Sequence, residues 1–137
     1  MAGSRPSQKI RYLSTEQAEK LHNWILDLTG GERGDLSRSN LEYLLEAVKN
    51  VGERLETRQA IIKKTAFLLY NLVVQHPFVN GNKRTAFELV KTFLEINRYR
   101  IRASKTEVFT LLSRLASGHV SLSQAENWIA TNLAQSD

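Results

Sequence analysis

Hydrophobic residues recur every three or four positions along most of the chain, which is the spacing of an amphipathic α-helix. In the first such segment, Ala18, Leu21, Ile25 and Leu28 fall on one face, and a Gly-Gly pair ends the pattern. We therefore predict a first helix over about 15–28.

Five further segments show the same periodicity, and they predict helices over about 40–53, 58–75, 82–97, 105–117 and 122–134. The third helix, 58–75, is apolar on nearly all sides, which is typical of a central helix surrounded by its neighbours. His76-Pro77 ends it, because proline donates no amide hydrogen bond and disfavours helical geometry at the residue before it. The pattern predicts an all-α fold, one compact domain of about six helices with a loop between its two central helices.

Helix starts carry a second signal, the capping box, in which a Ser or Thr and a Glu or Gln three residues later satisfy free amides of the first turn. The candidate pairs are Ser14 with Gln17, Ser39 with Glu42, Ser104 with Glu107, and Ser121 with Gln124. Thr57 is a candidate cap for the third helix. Two independent patterns therefore agree on four of the helix starts.

Two segments between helices are predicted to be irregular. Residues 31–38, GERGDLSR, are rich in glycine and charge, which predicts an exposed loop. Residues 99–104, YRIRAS, alternate apolar and basic side chains, but a short segment without a partner predicts extended coil rather than a sheet. Arg98, Arg100 and Arg102 form a basic run that favours a solvated face over a nucleic-acid surface.

Isolated aromatic and imidazole side chains give weaker signals. Trp24 and Trp128 fall on apolar helix faces, so we expect both in the core. His22 lies on the first helix, where we expect it to contribute to packing. His119 lies between two helices and is expected at the surface. Three scattered histidines predict no metal cluster.

Composition narrows the class of protein. The chain has 137 residues, 42% of them hydrophobic, and no cysteine, which excludes disulfides and cysteine nucleophiles and favours a cytoplasmic protein. No apolar run approaches the roughly 18 residues of a membrane span, and the first residues lack a signal peptide's apolar core. We expect a disordered lead over 1–9 and a folded domain over 10–137, with no membrane association. The net charge of +5 is modest and comes without helix-turn-helix spacing, so we do not expect a nucleic-acid partner.

The segment 76–84, HPFVNGNKR, ends at the predicted start of the fourth helix. A helix start points unpaired amides outward, and Gly81 lets a ligand approach the backbone closely. Lys83 and Arg84 oppose the helix dipole by about 0.3–1 kcal/mol each unless an anion lies among them. These residues predict a phosphate site, with an ordinary turn and a solvated basic patch as the alternative. His76 is a candidate general base, because imidazole titrates near neutral pH; a structural histidine is the alternative.

Residues 76–87, HPFVNGNKRTAF, resemble the core signature of the Fic/Doc family, HxFx(D/E)GN(G/K)R, and in particular its Doc branch, in which the lysine occurs. The resemblance implies an all-helical fold and transfer of a phosphate-containing group from a nucleotide to a protein hydroxyl. It implies that His76 deprotonates the acceptor hydroxyl. The residues that it implies for phosphate binding are Gly81, with the other loop amides, Asn82, Lys83 and Arg84.

One position departs from the family pattern, and two further positions depart from the pattern of its AMP-transferring members. Asn80 stands where the family has an acidic residue that helps bind Mg²⁺, and a neutral amide oxygen is a weaker ligand for a hard cation. Glu88 could supply the carboxylate instead, although an ion pair with Arg84, four residues earlier, is the alternative. Lys83 and Phe87 stand where AMP-transferring members have glycine and arginine, which favours phosphoryl transfer.

The function that the resemblance implies is that of a Doc-like toxin of a toxin–antitoxin pair. Such a protein would phosphorylate a Ser or Thr of a translation elongation factor, with ATP as substrate and Mg²⁺. The family's self-inhibitory motif, (S/T)xxxE(G/N), is not found in the terminal helices, so a separate Phd-like antitoxin is expected. A Fic-type AMP-transferase (AMPylator) and a catalytically weak nucleotide-binding regulatory module remain as alternatives.

Overall fold

Six α-helices account for most of the residues that the computed structural model describes, which are 9–29, 38–74 and 82–136. They are α1 (Thr15–Thr29), α2 (Arg38–Ala47), α3 (Thr57–Val74), α4 (Asn82–Ile96), α5 (Lys105–Ala116) and α6 (Leu122–Asn132), with a short 3-10 helix (Val48–Asn50) after α2. Two strands, β1 (Tyr99–Ile101) and β2 (Leu133–Gln135), are also present. The predicted all-α fold is confirmed. No helix within the described ranges is long and apolar enough to cross a membrane.

Some predictions fall on residues outside this description. They concern the lead over residues 1–8, the glycine-rich loop over 31–37, and the segment 75–81 that contains His76. The predictions for these segments stay predictions.

The central helix is α3, as its apolar circumference predicts. It packs against α2, α4, α5 and α6, and Ile61, Leu69 and Leu72 are fully buried along it. Burial of a leucine side chain stabilises a fold by about 1.5–3 kcal/mol. Because α3 ends at Val74, two residues before His76, the segment predicted to carry the chemistry directly follows this central helix in the chain.

Three of the four predicted capping boxes are present. The hydroxyls of Ser14, Ser104 and Ser121 each accept a hydrogen bond, 3.1 Å long, from the amide three residues later. The Gln or Glu at that position accepts the serine's own amide in return. The predicted capping box at Ser39 is wrong, because α2 already begins at Arg38, one residue before this serine. The Glu42 carboxylate instead accepts from Nε of that preceding arginine at 3.0 Å.

The buried stripe of α1 is rotated from the predicted one. Ala18, His22 and Ile25 are buried, and their spacing of four and three residues follows one helix face. Trp24 and Leu28 lie on the outer side with 54% and 57% of their surface exposed, so the expectation that Trp24 is a core residue is wrong. The pattern misleads because a histidine, which counts as polar, takes a core position.

Residues 99–104 are not coil throughout, which is a second correction. Tyr99 to Ile101 form β1, which pairs antiparallel with β2, Tyr99 facing Gln135 and Ile101 facing Leu133. The sixth helix, predicted to reach about residue 134, accordingly ends at Asn132. The partner strand was hidden because Leu133 continues the apolar spacing of that helix. Its burial against the core is a tertiary contact that overrides the local pattern.

The second helix also ends earlier than the predicted residue 53. It stops at Ala47 and continues for one 3-10 turn. Lys64, from α3, is 1% exposed. Its Nζ donates to the carbonyl oxygens of Val48 at 3.1 Å, Lys49 at 3.1 Å and Val51 at 2.7 Å. Carbonyls at a helix end lack partners within the helix, and here a buried lysine from another helix supplies donors to the 3-10 turn that follows α2.

The surface expectations for His119 and the basic run are confirmed, and the core expectation for Trp128 is confirmed in part. Trp128 is partly buried against the core, and His119 is exposed, with its Nδ1 2.8 Å from the hydroxyl of Ser117. The basic run is solvated, because Arg98, Arg100 and Arg102 are all exposed.

Candidate active site

The predicted phosphate-binding residues lie at the start of α4. The helix begins at Asn82, so Lys83 and Arg84 are in its first turn, and both are exposed. His76, Asn80 and Gly81 lie outside the described residues, as does the side chain of Asn82. The described part of the site therefore consists of the helix start and the cations on it.

The body of α4 is anchored in the core. Leu89, Val90, Phe93 and Leu94 are buried, and the helix packs against α3 on one side and α1 on another. This buried face holds the helix axis in place. Its exposed face therefore presents the first-turn cations in a defined direction.

One buried side-chain contact joins α1 to the start of α4. His22 Nδ1 lies 2.8 Å from Thr85 Oγ1, and the two residues are 2% and 0% exposed. Burial lowers the pKa of His22 because it disfavours the charged imidazolium. The histidine therefore contributes to packing, as predicted, and its partner directly follows Arg84. No sequence pattern identifies that partner, because the two residues are 63 positions apart.

The two first-turn cations have different surroundings. Lys83 Nζ lies 5.9 Å from the centre of the Phe109 ring on α5, within range of a cation–π contact. No ion pair joins Arg84 to a carboxylate anywhere in 9–29, 38–74 or 82–136. The alternative prediction for Glu88, an ion pair with Arg84, is wrong, because the Glu88 carboxylate lies 3.6 Å from Lys91 Nζ instead.

A groove of about 830 Å³ extends from these cations between α4, β1 and α5. Its charged lining contains Lys83, Arg84, Lys91, Arg100 and Lys105 against two carboxylates, Glu88 and Glu95. Its apolar lining includes Phe87, Ile101, Val108 and Phe109. The charged lining of the groove is therefore mainly positive. Sequence reasoning missed it because strand β1 and helix α5 form one wall.

Metal ligands are few in the described ranges. No group of three or more His, Cys, Asp or Glu side chains there could hold a metal ion. A Mg²⁺ ion that binds with substrate phosphates needs only one or two protein oxygens, because the phosphates and water supply the rest. Glu88 is partly buried and lines the groove beside Arg84, so its carboxylate fits one such ligand.

The model of the Fic/DOC family matches residues 12–94, a range that runs from the segment before α1 to the last turns of α4. Members of this family are in general enzymes that transfer part of a nucleotide. No curated protein matches the chain. Because the match spans more than half of the chain and includes the whole segment from His76 to Arg84, the chain belongs to the Fic/DOC family.

Proposed function

We propose that the protein transfers the γ-phosphoryl group of ATP to a Ser or Thr hydroxyl of another protein. The observation that carries the proposal is the start of α4, where Lys83 and Arg84 are exposed and no described carboxylate pairs with Arg84. Two cations are unfavourable in the first turn of a helix, by about 0.3–1 kcal/mol each, unless an anion binds there. The nucleotide phosphates are that anion.

The reaction needs a base, a phosphate site and an acceptor. His76 accepts the proton of the acceptor hydroxyl as its oxygen bonds to the γ-phosphorus. The bond from that phosphorus to the bridging oxygen breaks, and ADP leaves. The amides at Gly81 and Asn82, with the two cations, stabilise the charge on the phosphate oxygens, because fixed donors need no reorganisation during the reaction.

Mg²⁺ is the proposed metal, and Asn80 and Glu88 are its proposed protein ligands. When bound, it would neutralise part of the charge on the phosphates. Asn80 offers a neutral amide oxygen, so retention of the ion depends more on the phosphates and on Glu88 than in relatives with an acidic residue there.

Phosphoryl transfer is favoured over AMP transfer by the first half of α4. Lys83 and Phe87 occupy positions where the AMP-transferring pattern has glycine and a second arginine. Lys83 Nζ lies 5.9 Å from the centre of the Phe109 ring. Phe87 stands in place of the second arginine, so it adds apolar surface to the groove where that pattern has a phosphate-binding cation. AMP transfer is the second candidate function, supported by the family match alone.

The proposed biological role follows the Doc branch. The protein would act in the cytoplasm as the toxin of a toxin–antitoxin pair, with a translation elongation factor as target and a Phd-like antitoxin as partner. The lysine of the motif supports this branch. A nucleotide-binding regulatory module without transfer activity is the outcome if ATP binds and nothing is labelled.

Label transfer tests the proposal. The protein is incubated with purified elongation factor Tu, and separately with cell lysate, using ATP labelled at either the γ or the α phosphate. Label from the γ position alone supports phosphoryl transfer, and label from the α position shows AMP transfer instead. His76→Ala should lower labelling by about 10²–10⁴-fold. The matched control is His119→Ala, which removes an exposed histidine outside the matched range.

A further inference from the structure

We propose that Thr85 and His22 form a positioning pair. This pair holds the first turn of α4 in the orientation in which its cations bind nucleotide phosphates. The pair is buried, and its hydrogen bond of 2.8 Å joins α1 to α4. The inference rests on the proposed function, because it assigns the pair a role toward the same phosphates. Neither residue touches the phosphates in this scheme; both act through Arg84.

The need for such a pair follows from the exposure of the residues before it. Lys83 and Arg84 are exposed, and the buried face of α4 begins at Thr85. A first helical turn lacks intrahelical partners for its amides, so helix ends are prone to fraying. A hydrogen bond in the protein interior at Thr85 fixes the backbone immediately behind Arg84.

The chemistry of the threonine suits this task. A β-branched side chain has few rotamers in a helix, so the Thr85 hydroxyl defines the rotation of the helix about its axis. In the same helix, Thr92 uses its hydroxyl differently and donates to the carbonyl of Glu88 at 2.9 Å. Thr85 directs its hydroxyl across the interface to His22. Thr92 is therefore a matched control in the same helix.

A purely structural contact would stabilise the packing of α1 on α4 without affecting Arg84. The two roles differ in how substitutions combine. If the pair positions Arg84, removing the pair makes Arg84 less useful, and the two losses of ATP affinity do not add. If the pair only stabilises the fold, the losses add.

The experiment is a double-mutant cycle on ATP affinity, measured by titration calorimetry with Mg²⁺ for the wild type, Thr85→Val, Arg84→Ala and the double variant. We expect Thr85→Val to weaken ATP binding about tenfold, a loss within the range of coupling energies between residues of one contact network. Arg84→Ala should weaken ATP binding at least about tenfold when it is introduced into the wild type. In the Thr85→Val background the same substitution should weaken ATP binding at most about threefold. Thr85→Ser, which keeps the hydroxyl, should restore wild-type affinity, and Thr92→Val should not change it.

Additive losses in the cycle, or wild-type affinity in Thr85→Val, would overturn the inference. If Thr85→Val does not fold, the same cycle is run with His22→Leu, which removes the hydrogen bond, and with His22→Asn, which keeps a polar atom near Nδ1. Equal affinity in these two variants would overturn it as well. Wild-type protein that binds no ATP would contradict the proposed function itself, so the two failures are distinguishable.

Discussion

Lys64 offers the most direct test of how the fold is held together. Its side chain is 1% exposed, and its Nζ donates to three backbone carbonyls at distances from 2.7 to 3.1 Å. These three acceptors match the three N–H donors of the ammonium group. The nitrogen also lies 5.4 Å from the centre of the Tyr12 ring. Lys64→Met keeps an unbranched side chain that is one heavy atom shorter, and it removes all of these polar contacts.

The expected loss follows from these contacts. A hydrogen bond to a charged group contributes about 1.5–3 kcal/mol, and three bonds from one group are not additive. Methionine avoids the cost of burying an ammonium group, but it removes this donor from the part-buried carbonyls of Lys49 and Val51. The carbonyl of Val48 keeps the Val51 amide as a donor at 3.2 Å. We expect the free energy of unfolding to fall by about 1.5–3 kcal/mol, the range for a hydrogen bond to a charged group. This is a large fraction of the roughly 5–15 kcal/mol typical of a whole domain.

Urea denaturation followed by circular dichroism measures the loss, and Lys63→Met is the matched control. Lys63 is the neighbouring lysine on α3, exposed, with its Nζ 3.0 Å from a carboxylate oxygen of Glu126. An exposed ion pair contributes about 0–1 kcal/mol, so the control should lose little. If Lys64→Met and Lys63→Met differ by less than about 1 kcal/mol, the reasoning about the buried ammonium is refuted.

Three further predictions concern the site. Burial lowers the pKa of His22 from 6.5, so the imidazole binds a proton more tightly in the unfolded chain than in the folded protein. The contribution of His22 to the free energy of unfolding is therefore fully present above pH 6.5, and below it that free energy falls by up to about 1.4 kcal/mol per pH unit. His22→Asn should flatten this dependence in pH-resolved urea titrations, and an unchanged slope would contradict it. Arg84→Ala should raise the unfolding free energy of the nucleotide-free protein by about 0.3–1 kcal/mol, and Lys83→Ala should gain less because it also loses its ring contact; destabilisation by Arg84→Ala would refute the dipole argument. Asn80→Asp should lower the Mg²⁺ concentration for half-maximal transfer, and Glu88→Gln should raise it, because a hard cation favours anionic oxygen; activities that do not respond to Mg²⁺ would exclude both as ligands.

The helices could be predicted because local signals agree with the tertiary packing. The serines at 14, 104 and 121 cap helices through residues three positions away, so short-range sequence contains the whole interaction. At Ser39 the same pattern failed, because α2 starts at Arg38, whose guanidinium bonds both Glu19 and Glu42. The sequence pattern does not contain the contact with Glu19, which lies on another helix.

The features that escaped prediction all depend on residues far apart in the chain. Strand β1 needs Leu133 and its neighbours, which continue a helical pattern. Lys64 donates to the 3-10 turn after α2 from another helix, although lysine is ordinarily a surface residue. The contact of His22 with Thr85 joins two helices without any shared motif. The cations of the site were predictable because a motif places them at a helix start, whereas the groove beside them was not.

The central claim is that the start of α4 binds the phosphates of ATP, and ATP affinity measured by calorimetry tests it most directly. The comparison is between the wild type, Arg84→Ala and Arg114→Ala, the last removing an exposed arginine of α5 that does not line the groove. The account predicts that Arg84→Ala weakens ATP binding by about 1.5–3 kcal/mol, the range for hydrogen bonds to charged groups, and that Arg114→Ala binds as the wild type does. Equal affinities in all three proteins would contradict a phosphate site at this helix start.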